Sequence, residues 1–489
     1  MSSPNRGILS VVLTGVLSAL SGGAALAAEK AKPMPNRFLF TNLGWVSSQP
    51  DQAYYPSDIT DQLVRDWKDY AVYMKETGFV SISPWGFFGN TLPYPLGVDS
   101  KSAGTDVIRL PSEKLNQARR IIRNCQANDI AFYYGMCLYF AYWGDFLSQQ
   151  PPEAASPHNK SVICPLYPGD PAQGTPGGIE LMKQAIDFVV QVLPLDGITL
   201  ESYHNGRCVC DSCVKRFPET DRGTAEFHRY ANFPIFEHVR RKYPKLKLLF
   251  DPEGPLAVIH RIENLDILTE TIKRVDYFVW CSATHSPQVM RKLAASAPKT
   301  RLMLRQEPWQ SVPPRGPRDG WFFPNLVNPL GKMIHQRAKE IDWAGVAGCG
   351  NCKDNPGENV NLRFLAQMQM DPSRDPEAVA REILQKIYAP KNKEVLDQLY
   401  VVFSEPEVEF RKHWPTWFLH VDFMPKGYKF TVGQTVDMIN SYQSALARLR
   451  AIKSQLGNQE EAGRLESSIV KWIGYIRDRL KKDYKYDMP

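Results

Sequence analysis

Two glutamates close short apolar runs in this chain, and one of them stands just before a tight group of cysteines. Glu201 ends LDGITLE and Glu307 ends RLMLRQE. Cleavage of a glycosidic bond needs two carboxyl groups, one to protonate the leaving oxygen and one to attack the anomeric carbon or activate water. Asp251 and Glu253, in FDPEG, are rival sources of the second carboxylate. The plainer alternative makes Glu201 and Glu307 charged strand ends, solvated or paired with Arg305 or His204.

The cysteines suggest a different chemistry. Nine are present, at 125, 137, 164, 208, 210, 213, 281, 349 and 352, an odd total that leaves at least one without an internal disulfide partner. Three thiolates spaced as Cys208, Cys210 and Cys213 are most simply joined by Zn²⁺, which takes four sulfur or nitrogen ligands in a tetrahedron. Cys164 and the pair Cys349 and Cys352 are candidates for the fourth ligand. The competing account is one disulfide plus free thiols, as an oxidising compartment would favour. Four thiolates would leave zinc no open coordination position, so such a site is structural and not catalytic.

These residues need elements to position them. Eight apolar runs recur between Arg37 and Cys352: Phe38–Trp45, Phe79–Trp85, Ile130–Cys137, Asp196–Glu201, Leu246–Asp251, Tyr277–Cys281, Arg301–Glu307 and Gly345–Gly348. Amphipathic segments separate them: Asp61–Thr77, Glu113–Asn128, Gly178–Val192, Thr224–Lys242, Leu265–Arg274, Pro287–Ala297 and Leu330–Ile341. In the first of these, Leu63, Trp67, Tyr70 and Met74 recur at helical spacing. The alternation predicts a (β/α)8 TIM barrel, whose strands deliver catalytic groups at their C-terminal ends. Strands four and seven carry Glu201 and Glu307. Asp196 begins its strand and belongs to the opposite, stabilising end. A doubly wound open sheet is the competing fold, but no glycine-rich phosphate loop follows the first strand.

Beyond Cys352 the texture is helical, over Glu358–Met370, Asp375–Tyr388, Lys391–Phe403, Thr435–Gln455 and Gln459–Lys482. The expected organisation is a signal peptide over residues 1–27, a catalytic barrel over 35–357 and an α-helical C-terminal region over 358–489. The leader reading rests on Arg6, the apolar stretch Ile8 to Leu20 and the small-x-small sequence Ala25-Leu26-Ala27. It predicts export to the periplasm or the extracellular space. No later stretch reaches the ~20 apolar residues of a stable membrane span. The formal net charge is +7, one less without Arg6, which is no nucleic-acid signature. With 489 residues, 43% of them hydrophobic, the chain can bury a large core.

The carboxylates after strands four and seven, with an upstream cysteine and Cys-x-Cys-x-x-Cys after strand four, resemble the glycoside hydrolases of the large retaining clan, most closely family 42 β-galactosidases. The resemblance implies Glu201 as acid/base, Glu307 as nucleophile, and zinc on Cys164, Cys208, Cys210 and Cys213. DPSRDPEAVAREILQKIYAP is similar to the helical region that trails several uncharacterised bacterial barrel hydrolases related to α-glucuronidases and hexosaminidases. The chain departs from the clan at Leu200, where the clan places the asparagine that holds the sugar 2-hydroxyl. It also lacks the paired Asp-Glu of the hexosaminidases.

A carbohydrate substrate would meet further residues. Trp45, Trp85, Tyr203, Trp280, Trp309 and Trp321 stand at or past strand ends, where a ring face can stack on a pyranose. His204 and His285 are candidate hydroxyl partners, and Asp251 and Glu253 share the same end of the barrel. Arg305 and Arg207 are candidate partners for a substrate carboxylate or sulfate, or Arg305 holds Glu307 ionised. The expected activity is glycosidic bond hydrolysis; the alternative is a glycan-binding barrel without turnover.

Overall fold

A computed structural model describes residues 32–46, 59–85, 112–139, 155–156, 159–170, 172, 176–202, 207–252, 262–281, 287–306, 331–349, 355–413 and 431–486. The predicted leader lies outside them. Eight strands form the barrel: β1 (Phe38–Asn42), β2 (Ser81–Trp85), β3 (Ala131–Leu138), β4 (Gly197–Ser202), β5 (Lys247–Asp251), β6 (Tyr277–Cys281), β7 (Arg301–Gln306) and β8 (Gly345–Cys349). They run parallel in sequence order, and β8 closes on β1. Closure excludes the open doubly wound sheet. Phe38 pairs with Ser81 on one side and Ala347 on the other, and partners carried round the ring return to β1 displaced by eight residues. That stagger is the one a (β/α)8 barrel requires.

Strand parity sorts each run into two faces. Phe38, Tyr133, Leu249 and Met303, one from each odd strand, pack together inside the barrel. The alternate residues Ile198, Leu200, Leu248, Phe250, Phe278, Trp280, Leu302 and Leu304 join the larger core between barrel and helices. Gly197 makes room for the Tyr133 ring, because a Cβ there would lie 2.2 Å from Tyr133 Cε1. Aspartates tie down the N-terminal end. Asp196 Oδ2 accepts from Phe132 N at 2.8 Å and Gln126 Nε2 at 3.0 Å, while Asp276 Oδ2 accepts from Leu248 N at 2.8 Å and Arg240 Nη1 at 2.9 Å.

Helices α1 (Asp61–Thr77), α2 (Ser112–Gln126), α3 (Gly178–Val192), α4 (Asp221–Lys242), α5 (Leu265–Ile272), α6 (Pro287–Ser296) and α7 (Lys332–Arg337) follow β1 to β7 in turn. In α1, Thr60 caps the start by accepting from Leu63 N at 3.1 Å, and Gly78 ends it with φ 101°, which glycine adopts without a Cβ clash. Its buried face includes Leu63, Trp67, Tyr70 and Met74.

The eighth helix is α8 (Pro356–Met370). Sequence texture assigned it to the C-terminal region, yet it packs on β8 and α1. A Cβ on Gly348 would lie 2.4 Å from Leu365 Cδ2, Gln369 Oε1 accepts from Val346 N at 2.7 Å, and Tyr73 donates to Asn359 Oδ1 at 3.0 Å. α8 also packs on the helices that follow it, and so joins the barrel to the C-terminal region. Helices α9 (Pro376–Tyr388), α10 (Lys393–His413), α11 (Val432–Ile452) and α12 (Gln459–Tyr484) pack on one another, and α12 also touches α8. α10 runs through Pro406, where the sequence suggested an earlier stop at Phe403. No helix among the described residues is long and apolar enough to cross a membrane.

Candidate active site

Parity on β4 turns Thr199 and Glu201 into the barrel and Leu200 into the apolar wall. The same rule turns Asp251 inward on β5 and Arg305 inward on β7, each two residues beyond an interior core residue, Leu249 and Met303. All three stand at the C-terminal end, and all are buried: Glu201 is 3% exposed, Asp251 3% and Arg305 8%. Arg305 Nη1 donates to Asp251 Oδ2 at 2.6 Å, and its guanidinium carbon lies 5.9 Å from the centre of the Phe40 ring. Glu201 is in register with Asp251 on one side and Cys137 on the other. Cys137 Sγ is 3.2 Å from Glu201 Oε2.

Small residues from the even strands line the layer below: Ser83, Thr199, Val279 and Ala347. The hydroxyls of Ser83 and Thr199 are buried there with no hydrogen-bond partner among the described residues. The mouth thus combines carboxylates, a fixed cation and a polar floor. Chemically, such a set can bind hydroxyl groups and transfer protons in a region shielded from bulk water.

The sequence candidates fall into four groups. Glu201, Asp251 and Arg305 are brought together. Arg305 pairs with Asp251; Glu307, to which the sequence offered it, lies outside the described residues. Trp280 is corrected. It is fully buried near Phe278, ring centres 6.3 Å apart, in the core between barrel and helices. It therefore presents no ring face to a sugar, because its strand position has outward parity. Tyr203, His204, Glu253, His285, Glu307, Trp309 and Trp321, and the side chains of Trp45 and Trp85, lie outside the described residues. Arg207 is tied to its own loop, donating to Phe217 O at 2.8 Å and lying 5.3 Å over the Phe227 ring. Sequence reasoning missed Cys137, although the parity of β3 and its register with Glu201 mark it.

The cysteine cluster assembles beside this mouth. Cys164 follows a short antiparallel ladder, Ala155–Ser156 with Asn159–Ile163. Cys208 and Cys210 lie beyond β4, and Cys213 sits in the short helix Asp211–Arg216. The four Sγ atoms lie within 4.8 Å of one another, with Cys164 at 3.8 Å from Cys210 and 3.5 Å from Cys213. A disulfide needs about 2.05 Å. Tetrahedral zinc with bonds of about 2.3 Å sets sulfurs about 3.8 Å apart. The gathered distances thus fit a thiolate-bound dication and not a disulfide. Hydrogen bonding with Cys208, together with burial, pushes the Cys164 thiol up to about 12. Hydrogen bonding with Cys164 and Cys208 pushes Cys213 well above the usual thiol range. As thiolates, the four would need a cation to offset their mutual repulsion and desolvation. Cys352 and the Cys349 side chain lie outside the described residues.

The sequence matches no protein-family model and no curated protein. Solved structures do resemble the fold. A GH138 enzyme targeting pectin rhamnogalacturonan II aligns with a TM-score of 0.55 and 10% identity, covering 92% of this chain and 58% of that one. A mutant O-GlcNAc hydrolase from Thermobaculum terrenum aligns at 0.47 and 12% identity, covering 90% and 82%. CpGH84B aligns at 0.44 and 10% identity, covering 93% and 71%. The GH138 likeness supports the barrel architecture, and this chain spans little more than half of that enzyme's length.

Proposed function

We propose that this chain is an exported glycoside hydrolase acting on an oligo- or polysaccharide, with Glu201 as acid/base and Glu307 as nucleophile in a retaining mechanism. The observation that carries the reading is Glu201. It is a buried, inward carboxyl at the C-terminal end of β4, next to a fixed ion pair and a thiol donor. Burying a carboxyl with so little solvent is costly unless it is hydrogen-bonded, and in a barrel such a cost is concentrated where chemistry occurs. The GH138 likeness adds support at the level of fold. The family 42 resemblance rests on Glu201, Glu307 and the four cysteines.

In the first step the Glu307 carboxylate attacks the anomeric carbon, the bond to the leaving oxygen breaks, and Glu201 gives that oxygen its proton. Water then attacks the same carbon, passes a proton to Glu201 and frees Glu307. The Asp251–Arg305 pair fixes the charge beside Glu201. Cys164, Cys208, Cys210 and Cys213 would hold Zn²⁺ as a structural tie between the segments beyond β3 and β4. Metal analysis of the purified protein should find one zinc per chain, and C213S should lose it together with stability.

A panel of polysaccharides and aryl glycosides, run against the wild type, E201Q and E307Q, tests the activity. Folded variants that keep wild-type rates would sink the mechanism. Azide rescue of glycine variants assigns the two roles. Leu200 favours a second reading, a glycan-binding barrel without turnover, because its side chain lies in the apolar wall and offers nothing to a sugar hydroxyl. Binding with no hydrolysis across the panel would select that reading.

A further inference from the structure

Building on the proposed acid/base role of Glu201, we infer that Cys137 is a positioning residue for that carboxyl. Its thiol donates to the carboxylate and lowers the proton affinity of the acid/base. Cys137 is the penultimate residue of β3, in register with Glu201 and on the same interior face. Its Sγ is 3.2 Å from Glu201 Oε2. An ionised carboxylate only accepts, so the thiol is the donor in that state. Glu201 is 3% exposed, so bulk water is a poor substitute for this hydrogen bond.

The other charges around Glu201 act in known directions. Asp251, its register neighbour on β5, is a like charge that favours the protonated form. Arg305 on β7 is bonded to Asp251 and offsets that charge. Tyr133 and Tyr277 face the same interior lower in the barrel. On the outer face of β4, Ile198 and Leu200 separate the strand from the helices. Glu253, Glu307, His204 and the side chains of Cys281 and Cys349 lie outside the described residues. With Asp251 and Arg305 bonded to one another, the Cys137 thiol is a direct donor that favours the ionised form of Glu201. An acid/base must release its proton in one step and recover it in the next, so a donor that tunes this affinity acts on both steps.

Difference infrared spectroscopy can follow the carbonyl stretch of the protonated Glu201 carboxyl, assigned by its absence from E201Q. The titration should move upward by about 0.5–1 pH unit in C137A, the shift that loss of one modest hydrogen bond produces. C137V, which leaves no cavity and also lacks a donor, should move it equally and serves if C137A does not fold. C137S keeps a donor and should titrate with the wild type. On a substrate that the wild type hydrolyses, the alkaline limb of kcat/KM should move upward with the same variants. The inference is overturned if C137A and C137V titrate with the wild type, or if C137S moves as far as they do. An active E201Q would sink the functional reading while leaving the titration to stand. An unmoved titration beside an inactive E201Q would sink the inference alone.

Discussion

Arg305→Met removes the cation from an ion pair whose side chains are only 9% and 4% exposed and 2.6 Å apart. Solvent screening is weak there. With charge centres about 4 Å apart and an effective dielectric of about 20, the lost attraction is about 4 kcal/mol, within the 3–5 kcal/mol typical of breaking one side of a buried pair. Asp251 would lose that compensating charge while staying buried next to Glu201. Urea unfolding followed by near-ultraviolet circular dichroism should show R305M destabilised by about 3–5 kcal/mol. D251N should lose a comparable amount, since it removes the carboxylate charge that Arg305 Nη1 binds. The double variant D251N/R305M leaves neither charge buried, so its loss should be well below the sum of the singles. Single variants that unfold with the wild type, or a strictly additive double variant, would refute the idea that this pair is a buried electrostatic unit.

Other expectations concern the scaffold. Gly197→Ala would force a Cβ against the Tyr133 ring and should cost about 1–3 kcal/mol of overpacking strain, read from the same unfolding curves. Trp280→Ala should lose about 3–5 kcal/mol as a core cavity, with KM unchanged on any substrate the protein hydrolyses. Asp187 supplies a pH-dependent clamp between α3 and α4. Burial works to raise its pKa, but hydrogen bonds from Lys242, His238 and Tyr243 outweigh burial and hold it below the ordinary value. A depressed carboxylate contributes stability above its unfolded pKa and loses it as pH falls through the folded one. Asp187→Asn should therefore be destabilised by about 1–2 kcal/mol at pH 7, with the difference from wild type shrinking below about pH 4.

Much of the barrel was legible because each strand is a local signal. Tyr277–Cys281, Asp61–Thr77 and Gly178–Val192 have the same bounds in sequence and structure, since apolar runs and helical periodicity are carried by neighbouring residues. Glu201, Asp251 and Arg305 were readable as strand-end groups for the same reason. Trp280 was misassigned because nearness to a strand end says nothing about face, and parity separates it from Val279. α8 packs on the barrel and on α9 and α12 alike, which its sequence did not show because an amphipathic pattern marks a buried face without marking what buries it. The sequence ended its helix at Phe403, whereas α10 continues past Pro406 to His413.

By itself the sequence determined the alternation of strands and helices, the carboxyl groups near the strand ends and the close spacing of three cysteines. Those are properties of adjacent residues and short-range periodicity. The tertiary structure decided the pairings: Arg305 with Asp251, Cys137 with Glu201, and Cys164 with the three later cysteines. Each joins residues far apart in the chain, and only the register and closure of the barrel bring them within bonding distance.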